Sequence, residues 1–313
     1  MTNLQTVSKD ASVSNAVPEA PRKKRRVRES RGTLAFSRKA RSRAFIKHVL
    51  LIISGSVMIY PLLWMVVSSL RPDDLIFKDP GLWLNTLDLS NYTNGWNALT
   101  HPFGHYMINS AIVVIGCILG NLISCSMAAY AFARLKFTAS TLLFGVMLLT
   151  IMLPFHVVIV PQYVLFSQIG WVNTFWPLIV PKLLATDAFF VFLMVQFIRG
   201  IPKDLDEAAR IDGAGHPRIF LRVILPLMVP ALATTTIFTF IWTWNDFFGA
   251  LIYLTDPDMF TVPVALRAFV DSQAGTSWGS LFAMSIVSLL PVFLIFLFGQ
   301  RYLIKGIATT GIK

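Results

Sequence analysis

Glu207-Ala-Ala-Arg-Ile-Asp-Gly213-Ala-Gly215, closing at Leu225-Pro226, is a charged, glycine-broken stretch set between two long apolar blocks. It has to be soluble, yet the blocks on either side leave it too short to fold as a domain. A short polar element held at a bilayer surface suits the docking of a partner. An ordinary amphipathic connecting loop has the same composition, so the flanking sequence has to be read with it.

The chain has 313 residues, 55% hydrophobic and 14% charged, with 25 Phe and 8 Trp. A soluble core does not need so much apolar surface, and the composition is that of an integral membrane protein. Six apolar runs are long enough to cross a hydrocarbon core of about 30 Å as helices. They are Val49–Leu70, Ile108–Phe132, Thr141–Leu165, Trp176–Ile198, Met228–Leu254 and Leu281–Gln300. None alternates in the manner of a barrel strand, so an all-α membrane fold is expected. Cys117 and Cys125 lie in one apolar run and read as small hydrophobes, without a disulfide framework or zinc spacing.

The net charge of +11 is a matter of topology. Of 27 basic residues, 23 fall in the tail up to Lys47, in Phe132–Ser140, in Arg199–Val229 and after Gln300. The alternate loops hold Arg71, Lys78 and Arg267 against seven aspartates. The positive-inside rule then predicts both termini in the cytoplasm, and no nucleic acid partner is needed to account for the charge. Residues 1–43 read as a disordered basic tail, because they offer too little apolar surface to offset ordering entropy. The cluster Pro21-Arg-Lys-Lys-Arg-Arg-Val-Arg28 suits anionic lipid, and no cleavable signal peptide is expected. The membrane part is expected over 44–313, with its first span near 49–70 and a core near 104–301.

Within the loop, Asp204 is expected to cap a short helix lined on one side by Leu205, Ala208 and Ala209. Asp206, Glu207 and Arg210 would surround the rest. Gly213 and Gly215 are expected to stop this helix with a sharp turn, and Pro217 to open another. Arg218 and Arg222 share a face that fits headgroups or an acidic partner.

The spacing Glu207-Ala208-Ala209, three residues, Gly213, nine residues, Val223-Ile-Leu225-Pro226 resembles the EAA loop of ABC-importer permeases. That pattern is E-A-A-x3-G-x9-I-x-L-P, and only its Ile position departs, conservatively, as Val223. Further stretches are similar to the carbohydrate-uptake branch: Ile151-Met-Leu-Pro154 with Pro161, Leu165-Phe-Ser167, Asn173-Thr-Phe-Trp176, Trp244-Asn-Asp246 and Gln300-Arg-Tyr-Leu-Ile-Lys-Gly306. The resemblance runs from about Ala44 to the C-terminus and is strongest from Asn109 onward. It is closest in kind to the smaller permease subunit of maltose-type importers.

The resemblance implies a type I ABC importer permease fold with six transmembrane helices in a bacterial-type inner membrane. It implies a second, homologous permease, two ATPase subunits and an extracytoplasmic sugar-binding protein as partners, besides membrane lipid. The chain carries no GxxxxGK[ST] loop, so it is expected to bind no cofactor, leaving ATP and Mg to the ATPase subunits. The coupling residues implied are Glu207, Ala208, Ala209, Asp212, Gly213, Leu225 and Pro226. Glu207 would reach a basic residue of the ATPase, and Gly213 would permit the turn. The loop Thr255–Ser280 would touch the binding protein. The expected cargo is a sugar or oligosaccharide, with glycerol phosphate or a polyol as the alternative.

Two places within the membrane can meet cargo. Pro177 and Pro181 interrupt the fourth run, where Lys182 and Asp187 sit among apolar residues. Asp187 reads either as the cap of a half-helix Ala188–Ile198 or as a pathway group. Trp242, Asn245 and Asp246 combine an aromatic face with an amide and a carboxylate, which suits a sugar, but an aromatic belt has the same composition. His156 and His216 lack a second ligand nearby, and no metal site is expected. Gly116-Cys-Ile-Leu-Gly120 is a GxxxG match of the kind that packs helices within a chain. No HExxH occurs to favour an intramembrane hydrolase, and a stand-alone channel would not need a docking loop.

Overall fold

The computed structural model describes residues 38–271 and 277–309, with side chains over 45–270 and 277–301. The tail 1–37, residues 272–276 of the Thr255–Ser280 loop, and the side chains of the Gln300–Gly306 stretch beyond Arg301 lie outside the described residues. Every regular element among the described residues is helical. In chain order these are α1 (Arg38–Ser69), α2 (Ser90–Trp96), α3 (Phe103–Arg134), α4 (Ser140–Thr150), α5 (Phe155–Gln168), α6 (Trp176–Leu183) and α7 (Ala188–Arg199). They continue with α8 (Asp204–Ile211), α9 (His216–Ile219), a π turn (Phe220–Ile224), α10 (Leu225–Leu227), α11 (Val229–Trp244), α12 (Phe248–Tyr253), α13 (Val262–Asp271) and α14 (Trp278–Thr309). Asp73–Leu75 and Pro257–Met259 add single 3₁₀ turns.

Four helical stretches are long and apolar enough to cross a bilayer: Phe45–Ser69, Phe103–Arg134, Trp176–Arg199 and Trp278–Arg301. Two bent pairs make up to six. Ser140–Thr150 and Phe155–Gln168 meet at 100°, and His216–Leu227 and Val229–Trp244 at 74°. The expected runs are thus matched by four stretches and by two bent pairs, the second of which begins at His216, in the segment expected as loop.

The third run, expected as one helix over Thr141–Leu165, is broken at Ile151–Pro154. Pro154 has no N–H to donate and drives Leu153 away from helical backbone. The fifth, expected over Met228–Leu254, stops at Trp244. There Asp246 Oδ1 accepts from the Gly249 N–H at 2.9 Å and opens α12 instead. The fourth breaks at Leu184–Asp187, one turn beyond Pro181, which itself lies inside α6. Ala185 sits at φ 55° in that break, a left-handed conformation that Cβ makes costly.

Contacts divide the chain at residue 56. Of residues 1–56, the described part is helical from Arg38, and Leu50, Leu51, Ile52 and Ile53 are all exposed, as befits a helix apolar all round. In residues 57–313 the core has two main clusters. One joins Cys125, Ala129 and Tyr130 of α3 to Val191, Met194 and Ile198 of α7 and to Ile219, Ile224 and Met228. The other joins Phe103, Tyr106 and Val114 of α3 to Phe240 and Trp244 of α11, Val262 and Ala265 of α13, and Met284 of α14. Helix α3 therefore runs through both clusters.

Gly116 and Gly120 pack α3 against α6 within the chain: a Cβ on Gly116 would come within 2.8 Å of Ile179, and one on Gly120 within 3.0 Å of the Lys182 backbone. Cys117 and Cys125 are buried free thiols.

Candidate functional site

Helix α8 starts one residue earlier in its cap than expected. Lys203, not Asp204, occupies the capping position, and its carbonyl accepts from the N–H groups of Asp206 and Glu207 at 2.9 and 3.1 Å. Asp204, Asp206 and Glu207 fill the first turn, where the helix dipole favours negative charge. The faces also differ from expectation. The only buried side chain of α8 is Asp206, whereas Leu205, Glu207 and Ala208 are exposed and Ile211 is 87% exposed. Ala209 alone of the expected apolar side turns inward, against the cluster around Tyr130.

The turn after α8 depends on one glycine. Asp212 closes the helix, and Gly213 stands at φ 79°, a backbone that Cβ-bearing residues rarely adopt. Its N–H donates to the Arg210 carbonyl, and that of Ala214 to the Ala209 carbonyl, both at 2.9 Å. Gly215, expected to share this role, has φ −74° and no need to be glycine. Pro217 lies in the first turn of α9, as expected, and Leu225 and Pro226 lead into the 74° bend before α11. Arg218 and Arg222 are exposed.

The groups that hold α8 from beneath were not anticipated. Arg134 Nε, at the end of α3, lies 2.7 Å from Asp206 Oδ2, with the two side chains only 3% and 8% exposed. Arg134 Nη2 donates to the Ile201 carbonyl at 2.7 Å, and Tyr130 Oη lies 3.1 Å from His216 Nδ1. A lone Arg at the end of an apolar run gives no local signal of its partner 72 residues onward.

A second constellation lies deeper in the bundle. Lys182 Nζ donates to both Asp187 oxygens, at 2.8 and 3.0 Å, and Asn121 Nδ2 donates to Asp187 Oδ2 at 2.7 Å and to Thr239 Oγ1 at 3.1 Å. Asp187 occupies the capping position of α7, yet its side chain accepts no N–H of that helix. The cap reading fails because its two oxygens are turned to Lys182 and Asn121. A cavity of 620 Å³ is lined by Lys182, Asp187, Asp246 and Gln162, among others. An adjoining space of 470 Å³ shares Lys182 and Asp246 and adds Trp242, Thr243 and Cys117.

Trp242 also packs on Phe189, Phe190 and Phe238. Asn245 is not brought to this site: its amide donates to the Ile241 carbonyl of its own helix at 2.7 Å. His156 packs on Phe248, and among the described residues no group of His, Cys, Asp and Glu is arranged to hold a metal. The site has polar groups that can orient a hydroxylated solute.

Residues 120–309 match the family described as the binding-protein-dependent transport system inner membrane component. The chain is 34% identical to the diacetylchitobiose uptake system permease protein NgcG of Streptomyces coelicolor, over 82% of this chain and 85% of that one. It is 32% identical to the trehalose/maltose transport system permease protein MalG of Thermococcus litoralis, over 86% and 98%. It is also 31% identical to an sn-glycerol-3-phosphate transport system permease protein of Yersinia enterocolitica, over 83% and 94%. In fold it is similar to a chain of a bacterial ABC transporter involved in import of the acidic polysaccharide alginate, with a TM-score of 0.77, 22% identity, and 85% of this chain and 98% of that one covered. The match over most of the bundle, including the loop of α8 and the helices around the cavity, makes this chain a member of the binding-protein-dependent transport system inner membrane component family, a membrane-embedded ABC permease subunit.

Proposed function

We propose that this chain is half of the membrane pathway of an ATP-driven importer for a sugar or oligosaccharide, with α8 as the element that a partner ATPase moves. The observation that carries the coupling role is the form of α8. It is a two-turn helix with Glu207, Leu205, Ala208 and Ile211 exposed, stopped by the left-handed Gly213 and held from beneath by a buried ion pair. Exposed apolar side chains around a carboxylate, beside small Ala208, suit a concave partner surface with a cation at its centre.

Glu207, Ala208, Ala209, Asp212, Gly213, Leu225 and Pro226 form the coupling segment in this reading. ATP and Mg are used by two ATPase subunits, and a second permease and an external binding protein complete the assembly. The excess of Lys and Arg in the loop and tail segments puts α8 and both termini in the cytoplasm. Residues 44–313 form the permease unit in this reading, and the exposed pair Arg218 and Arg222 suits anionic lipid or an acidic partner. Closure of the ATPase pair on ATP would shift α8 as a rigid body and switch the cavity between the two sides.

The cargo reading rests on the cavity chemistry and on the relatives, two of which are named for sugars. Asp187, Lys182, Asp246 and Trp242 give a solute both hydrogen-bonding groups and an aromatic face, which is what a sugar ring requires. The glycerol phosphate alternative is favoured by the Yersinia relative. The test is flux in vesicles containing the whole transporter, with diacetylchitobiose, maltose, trehalose and glycerol phosphate offered to its binding protein. ATP-dependent accumulation of a saccharide supports the reading. Accumulation of glycerol phosphate alone replaces the cargo, and flux without ATPase subunits removes the importer mechanism.

A further inference from the structure

We propose that Arg134 and Asp206 are positioning residues that make α3 the rod carrying the motion of α8 to the cavity, an inference that rests on the docking role proposed above for α8. In sequence, α8 is attached to α7 through Gly200–Lys203 and to α9 through Asp212–Gly215. Both attachments are non-helical and contain glycine, so they absorb displacement.

The grip of α3 is different. Its terminal guanidinium meets the Asp206 carboxylate at 2.7 Å and the Ile201 carbonyl, just before α8, at 2.7 Å. A guanidinium is planar and always charged, and pulling either member of a buried pair away leaves an uncompensated charge. Tyr130, one turn back on α3, meets His216 just beyond the Gly213 turn. Helix α3 therefore holds the chain before, within and after the docking helix.

The same helix reaches the cavity. Asn121 lies 13 residues before Arg134, roughly 20 Å along a helix that is unbroken between them. There it donates to Asp187 and to Thr239, and Cys117, one turn further, lines the cavity. A tilt of α3 imposed at Arg134 reappears at Asn121 because no proline or loop intervenes.

The test uses the complete transporter in lipid nanodiscs, with Cys117 and Cys125 replaced by alanine and a reporter cysteine at the cavity-lining Thr150. The probe is a water-soluble maleimide, and its labelling rate is compared without nucleotide and with MgATP trapped by vanadate. In the parent, trapping changes the rate. In Asp206→Asn, with ATPase subunits still bound and hydrolysing, that change is expected to shrink about fivefold or more. A change equal to the parent's in an assembled Asp206→Asn complex overturns the proposal, since a merely structural pair would lower stability and leave the response intact. Should Asp206→Asn fail to assemble, Arg134→Lys is judged by the same criterion, because it keeps the charge and loses the second bond. If Glu207→Lys leaves the parent response intact as well, the docking reading falls and this inference with it. If Glu207→Lys abolishes the response and Asp206→Asn does not, only the rod is overturned.

Discussion

Lys182 Nζ lies 2.8 Å from one oxygen of Asp187 and 3.0 Å from the other, closing the gap between α6 and α7. The pair spans the break that Pro181 and Ala185 create, so it substitutes for the backbone bonds missing there. With 31% and 24% of their side chains exposed, the two charges are neither solvated nor sealed. Lys182→Met strands the carboxylate and is expected to destabilise by about 1–3 kcal/mol, below the full cost of a sealed pair because water reaches the cavity. Lys182→Met with Asp187→Asn should recover part of that loss. Thermal unfolding in detergent checks both, and equal stability of the single and double variants would contradict a coupled pair.

Glu207 is exposed in the first turn of α8, where its charge favours the helix dipole, and among the described residues its side chain has no hydrogen-bond or ion-pair partner. Glu207→Lys is therefore expected to cost this protein at most about 1 kcal/mol. If a partner cation faces it, the reversal removes about 2 kcal/mol or more of interface energy and lowers uptake per ATP at least about tenfold. Transport and ATP hydrolysis measured on the same assembled complex decide the matter, and an unchanged ratio counts against the coupling role.

Gly213 and Gly215 look alike in the sequence and differ in the structure. A Cβ on Gly213 meets nothing within 4 Å, so the cost of substitution is conformational: about 1 kcal/mol for alanine at φ 79°, more for valine, and little for asparagine. Gly215 has an ordinary φ of −74° and only the Pro217 ring at 3.9 Å, so Gly215→Ala should be neutral or stabilise by about 0.4–1 kcal/mol. Denaturation of the paired variants reads this contrast directly.

Elements encoded by composition were legible in the sequence. Apolar length located the four straight spans and the regions of the two bent pairs, because spanning a bilayer needs a number of residues and little else. The loop of α8 was legible because a charge cluster, a glycine and a proline at fixed spacing are local signals. What escaped depends on partners far along the chain. Asp206 looked like a surface residue beside Glu207, and only the end of α3 decides that it turns inward while Ile211 turns out. The break at Pro154 was present in the letters, yet hydropathy does not register a 100° bend between two equally apolar halves. Asp187 looked like a cap because of its position, and Asn121 and Lys182, distant or across a break, claimed its oxygens.

The two glycines of the GxxxG match make a graded prediction. At Gly116 an added Cβ meets Cδ1, Cγ2 and Cγ1 of Ile179 at 2.8, 2.9 and 3.1 Å, all atoms of one side chain and none of backbone. At Gly120 it meets the Lys182 backbone at 3.0 Å and Leu183 N at 3.1 Å, and backbone cannot yield without moving α6. Gly120→Ala should therefore cost about 1–3 kcal/mol and exceed Gly116→Ala. It should also disturb transport more, since Lys182 is displaced. Unfolding and uptake of the two variants side by side test the order, and the reverse order would mean that α3 and α6 pack differently in the assembled transporter.

Trp242 and Asn245 separate a cargo contact from a helix-end residue. Trp242 lines the 470 Å³ space beside Lys182 and Asp246 and is 51% exposed, so its ring is open to a solute. Asn245 returns its amide to the Ile241 carbonyl and lines neither of the two larger cavities. Trp242→Ala is expected to raise the KM for uptake about tenfold, the loss of roughly 1.4 kcal/mol of stacking and burial. Trp242→Phe should restore most of it, since the flat face remains. Asn245→Ala should leave KM within about twofold, an effect near the 0.5 kcal/mol typical of substitutions away from a site. Uptake kinetics of the three variants in assembled complexes test the assignment. A large effect in Asn245→Ala together with none in Trp242→Ala would move the cargo path off this face of α11 and toward the break at Asn245–Phe247.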